Sequence, residues 1–156
     1  MNRVVLIGNG FDLAHDLKTS YQDFIDWYWD QRVMSFHSNT SKVSKDMLCK
    51  FTCLNDEVWS VFAFSHISTV SRPPGSKVIQ YINRHPLYYE VEEQQFFRNI
   101  IDSINTKNWV DIEEEYYKLL TLYAFEESAN DKLILLNQQL QYIQNLLIEY
   151  LTSINR

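Results

Sequence analysis

The chain has 156 residues and a mass of 18.7 kDa, enough for one domain with a core of its own. Apolar residues make up 46% and aromatics 15%, which excludes a natively disordered chain. Net charge is −6, with residues 1–89 summing to +1 and residues 90–156 to −7; the acidic half argues against a broad nucleic-acid footprint.

The first element is a β-branched and aliphatic run, Arg3 to Ile7, which reads as a strand buried on both faces. It breaks at Gly8-Asn9-Gly10-Phe11-Asp12, two of the chain's three glycines in one turn. Such a turn lets the backbone bend tightly and presents N–H groups to a ligand, and a following helix N-terminus suits phosphate. The dinucleotide fingerprint is not met, because Leu13 stands where a third glycine belongs.

Thr19-Ser20-Tyr21 opens a helix, with Thr19 as the N-cap, Asp23 and Asp26 in the first turns, and Phe24, Trp27 and Tyr28 on one face. Residues 35–46 are Ser- and Asn-rich and read as a loop. Residues 46–64 read mostly as helix, although Val58 to Phe64 also suits a strand. Ser71-Arg72-Pro73-Pro74-Gly75-Ser76 is a firm break, a short helix follows from Ser76 to Asn83, and His85-Pro86 is another stop.

From Tyr88 the pattern is helical: one helix over about 90–104 and a second from about Asn108 through Leu119, Leu120 and Tyr123. In the second, Asp111 and Glu113 fall on different faces, whereas Asp111 shares one with Glu114 or Glu115; these read as acids of a helix first turn, with a metal-binding or acid–base pair as the sharper alternative. The last helix starts near Asn130. Its Leu133, Leu136, Leu140, Ile143, Leu147, Tyr150 and Ile154 recur at alternating spacings of three and four. That seam suits packing on its own domain or, alternatively, a helix–helix partner surface and a homo-oligomer.

Cys49 and Cys53 are too few for a disulfide scaffold, and no second Cys pair or His-x-x-x-His completes a zinc site. They read as half-buried thiols, and no metal is expected. Val4 to Ile7 is shorter than the apolar core of a secretory signal, and no run approaches a membrane span. The expectation is a cytoplasmic protein with no membrane partner. One strong strand cannot satisfy its own backbone groups, so another segment pairs with it or the sheet is incomplete within these residues.

The stretch Leu6-Ile7-Gly8-Asn9-Gly10-Phe11-Asp12-Leu13-Ala14-His15-Asp16-Leu17-Lys18-Thr19-Ser20-Tyr21, then Asp23-Phe24, resembles the opening of the AbiH family of abortive-infection proteins. Trp109-Val110-Asp111-Ile112-Glu113 resembles that family's Trp-x-Asp-Ile-Glu segment, and Leu136 through Leu151 its following long helix. The opening is also similar, more distantly, to the cofactor loop of sirtuin-type domains, with Asp12, Asp16 and Tyr21 departing from that pattern.

The resemblances imply an α/β fold: a Rossmann-like or sirtuin-like strand–turn–helix leading a predominantly α-helical body. They imply antiviral defence, with NAD or a related nucleotide at Gly8, Asn9, Gly10, Phe11, Asp12, Thr19 and Tyr21. Hydrolysis of NAD's glycosidic bond is the reaction they suggest for an intact member. The Phe-Asn-Tyr-Thr strand and His-Gly expected after the long helix do not occur here. Residues 1–156 are therefore expected to be the N-terminal part of a longer AbiH-like domain, with no assigned catalytic residue. The rival expectation is a non-enzymatic interaction protein using the heptad helix.

Overall fold

The computed structural model describes residues 18–38, 42–54, 79–80, 83–84, 86–107, 110–126 and 129–154. Four helices dominate: α1 (Tyr21–Ser38), α2 (Gln95–Lys107), α3 (Ile112–Tyr123) and α4 (Ala129–Ile154). They pack with a small antiparallel sheet of β1 (Val43–Lys45), β2 (Cys49–Cys53) and β3 (Tyr89–Glu93), in the order β1-β2-β3. The described part is thus a mixed, mostly helical α/β structure. The strand expected at Arg3–Ile7 and the turn at Gly8–Asp12 lie outside the described residues, so the Rossmann-like element is not among them.

Three local expectations are corrected. The helix expected over 46–64 is, at 49–53, the central strand. Cys49, Phe51 and Cys53 are buried while Lys50 and Thr52 are half-buried, the two-residue period of a strand. Of the loop expected over 35–46, residues 35–38 belong to α1 and 43–45 to β1. The helix expected from 90 begins only at Gln95, because Tyr89–Glu93 pairs along β2 with Phe51 opposite Val91 and Lys50 opposite Glu92. Lys50 and Glu92 form an ion pair across that register. Of the short helix expected over 76–83, Ile79, Gln80 and Asn83 are helical.

Caps set the helix starts. At α1 the cap is Ser20, one residue after the expected Thr19. Its Oγ accepts from the Asp23 amide at 3.1 Å and donates to Asp23 Oδ2 at 2.5 Å, while its carbonyl takes the first helical bond from Phe24 N at 3.1 Å. At α3 the cap is Asp111, extended at φ −99° and ψ 102°, with its side chain accepting from Glu114 N at 2.9 Å. Helix α3 therefore starts at Ile112, later than the expected Asn108.

The core lies between the sheet and the helices. Tyr28 and Trp29 of α1 meet Phe97 of α2 edge-on at centroid distances of 4.8 and 5.5 Å, and Trp29 meets Phe51 of β2 at 5.8 Å. Leu136, Ile143 and Tyr150, one heptad apart on α4, are buried in the same core, and Leu140, Leu147 and Ile154 pack against it. The heptad seam of α4 faces its own domain. None of the helices among the described residues is long and apolar enough to cross a membrane.

Candidate functional site

Two stretches far apart in sequence meet at one cleft. Tyr21 opens α1, Asp111 caps α3, and the middle of α4 forms the opposite wall. The cleft has a volume of about 400 Å³ and is lined by Tyr21, Val110–Glu113, Leu140, Ile143, Gln144 and Leu147. Its position follows from the two caps: each turns the chain into a helix at that point, leaving Tyr21 and Glu113 at neighbouring helix starts.

The cleft is amphipathic. Val110 and Ile143 are buried and, with Leu140 and Leu147, make its apolar wall. The polar groups are the Tyr21 hydroxyl, the Gln144 amide and the carboxylates of Asp111 and Glu113. Burial, and then the charges of Asp111 and Glu113, push the Tyr21 hydroxyl above its ordinary value, so at neutral pH it stays protonated and can donate. Among the described residues, its lining includes neither Lys nor Arg. Such a surface suits a ring and hydroxyl groups, as in a nucleoside, and disfavours phosphate.

Of the seven expected cofactor residues, Gly8, Asn9, Gly10, Phe11 and Asp12 lie outside the described residues, as does His15. Thr19 is half-buried and is not the helix cap, and Tyr21 lines the cleft. Asp111 acts as a cap, in keeping with acids of a helix first turn. Val110, Leu140, Gln144 and Leu147 were not singled out from sequence as cleft residues, since a wall formed by separate helices has no local signal.

A second polar centre, which sequence reading missed, is buried between α1 and the β1–β2 turn. Asp46 Oδ1 accepts from the amides of Leu48 and Cys49 at 2.8 and 2.9 Å, and Tyr28 Oη donates to Asp46 Oδ2 at 3.0 Å. Arg32 Nε lies 3.2 Å from Asp46 Oδ2 as an ion pair, with its N–H off the line of a hydrogen bond. The Arg32 Nη2 donates to Ser44 Oγ at 3.0 Å. Cys49 Sγ is 3.1 Å from Tyr28 Oη. Burial, helped by Asp46, pushes the Cys49 thiol up to about 12. A thiol held protonated is a poor nucleophile, and the two amide bonds to Asp46 brace the turn. Among the described residues, no three His, Cys, Asp or Glu side chains converge as a metal site.

The sequence model of one family, described as bacteriophage abortive infection AbiH, matches residues 4–152. That range holds the opening loop, both cleft-forming motifs and nearly all of α4. The chain belongs to the AbiH family, and the family's description associates it with abortive infection by bacteriophage. No curated protein and no solved structure matches the chain.

Proposed function

We propose that this AbiH chain serves phage defence by binding a nucleotide, NAD or a close relative, between the opening loop and the cleft at Tyr21. The observation that carries the reading is the meeting of Tyr21 with Val110–Glu113 in one amphipathic cleft. These are the end of the loop motif and the second motif, brought together from well-separated parts of the chain. In this reading Gly8, Asn9, Gly10, Phe11 and Asp12 take the phosphates, because a Gly-x-Gly sequence lacks the Cβ atoms that would obstruct a ligand's approach to the backbone. The cleft, acidic on one side and apolar on the other, takes a ribose and its ring, with the Tyr21 hydroxyl as donor and Gln144 as donor or acceptor.

The test is calorimetric titration with NAD and with ADP-ribose. Saturable binding is expected, abolished by Gly10→Val, which places a side chain against the phosphates, and weakened by Tyr21→Ala. No heat at millimolar ligand, or binding indifferent to Gly10→Val, would sink the reading. Hydrolysis of NAD's glycosidic bond is the reaction suggested by the sirtuin-like loop, and release of nicotinamide by the purified chain is its assay.

A further inference from the structure

A second, smaller cavity lies nearer the start of α4, where the β3–α2 junction, the end of α3 and the first turns of α4 meet. Its volume is about 200 Å³, and its lining includes the buried Phe96 and Leu136, the Tyr123 ring, and the side chains of Gln94, Lys132 and Gln139. Its described lining shares no residue with the Tyr21 cleft. Gln139 is the unusual member, a polar side chain only 4% exposed. Its Nε2 donates to the Met47 carbonyl at 3.4 Å and to Gln94 Oε1 at 3.5 Å, both beyond the roughly 2.7–3.2 Å of an ordinary N–H···O bond. No donor among the described residues reaches its Oε1. A buried amide so poorly bonded is costly unless something else takes up its polar groups. Lys132 adds no net charge, because its ammonium pairs with Glu126 and lies 5.2 Å over the Tyr123 ring.

We propose that this cavity binds one neutral, planar ring system carrying a lactam edge, as in a free oxopurine or oxopyrimidine base. The size argues for a single ring system, since pockets for drug-sized ligands run to roughly 300–1,000 Å³. Phe96, Leu136 and Tyr123 supply apolar surface for the faces of the ring. A glutamine amide offers a donor and an acceptor side by side, and a lactam offers the complementary pair. A ligand that engages Gln139 and Gln94 in this way gives the buried amide the bonds it lacks, so specificity for the edge follows. A ring without that edge gains the apolar contacts alone. A charged ligand is disfavoured, because Glu126 neutralises Lys132 and the other described lining residues are uncharged.

The probes are hypoxanthine, which has the lactam edge, and purine, the same ring system without it. Each is titrated into the full chain and followed by NMR through the side-chain amide resonances of Gln94 and Gln139. Hypoxanthine is expected to shift both saturably, with a Kd on the order of 1 mM for so few atoms. Purine should bind about three- to tenfold more weakly, the scale of one net hydrogen bond. Inosine should also bind more weakly than hypoxanthine, because the cavity leaves no room for a ribose. Gln139→Met keeps the side-chain length without the amide; it should bring hypoxanthine down to the affinity of purine and leave purine unchanged. Gln94→Ala, at a half-buried position, should weaken hypoxanthine in the same sense and decides the matter if Gln139→Met does not fold. No saturable shift at millimolar hypoxanthine, or shifts confined to other residues, overturns the site. Equal affinity for hypoxanthine and purine, or variants that keep the wild-type preference, overturns the lactam assignment. Tighter binding of inosine overturns the assignment to a free base.

Discussion

Arg32 and Asp46 form an ion pair at 3.2 Å with side chains only 11% and 9% exposed, and the carboxylate also builds the β1–β2 turn through the Leu48 and Cys49 amides. Removing one charge strands the other in the interior. Asp46→Ala is expected to cost about 3–5 kcal/mol, read as a lower urea midpoint. Asp46→Asn keeps an acceptor for the two amides and should cost less. Combining Asp46→Asn with Arg32→Met should recover part of the loss, because paired removal leaves no lone buried charge. Strict additivity of the two changes would contradict the coupling.

The caps give a cleaner measurement, because each is a single side chain on a single amide. Ser20→Ala should destabilise by about 1 kcal/mol, and Asp111→Ala by a similar amount. Asp111→Asn keeps the capping oxygen, so stability should hold within about 0.5 kcal/mol while the cleft loses a negative charge. Urea unfolding beside NAD titration separates the two roles: a change in affinity at constant stability assigns Asp111 to the ligand as well as to the helix.

Legibility in the sequence followed the range of the signal. Helices α3 and α4 were readable because their apolar residues recur along one segment, and the α4 seam at Leu136, Ile143 and Tyr150 is buried. Strand β2 was misread because an i, i+4 pair such as Cys49 and Cys53 shares a face in a helix and in a strand alike. Strand β3 was hidden by three glutamates, and it is the pairing with β2 that overrides their poor strand propensity. Thr19 and Ser20 are both good caps, and only the geometry chooses Ser20. The Tyr28–Arg32–Asp46–Cys49 centre spans two elements and a turn, so no local pattern marks it. The cleft was half legible: both motifs stood out, but not that they meet.

Alkaline pH should loosen the fold. The Cys49 thiol rises from 9.0 to about 12 and the Tyr150 hydroxyl from 10.0 to about 12, both chiefly through burial. Tyr28 is pushed up for the same reason. The folded state holds these groups protonated, so their stabilisation is complete below about pH 9. Between about pH 9 and 12 the unfolded chain ionises first, and the advantage is lost. The urea midpoint should therefore fall from pH 8 to pH 11. Cys49→Ala should start lower, because of the cavity it leaves, and fall less steeply. A midpoint constant over that range would contradict the burial of these groups.

The inward seam of α4 makes a further distinction. Leu140 packs against the core, whereas Ile148 on the same helix is 64% exposed. A glutamate at position 140 must bury its charge or pull the helix away from Ile143 and Leu136. Leu140→Glu is expected to cost at least about 2 kcal/mol, whereas Ile148→Glu should stay within about 0.5 kcal/mol, both by urea unfolding. If the seam instead served chiefly to join two chains, Leu140→Glu would change the sedimentation coefficient and spare the monomer's stability. Loss of monomer stability at 140 and tolerance at 148 is the pattern that the packing of α4 onto its own domain requires.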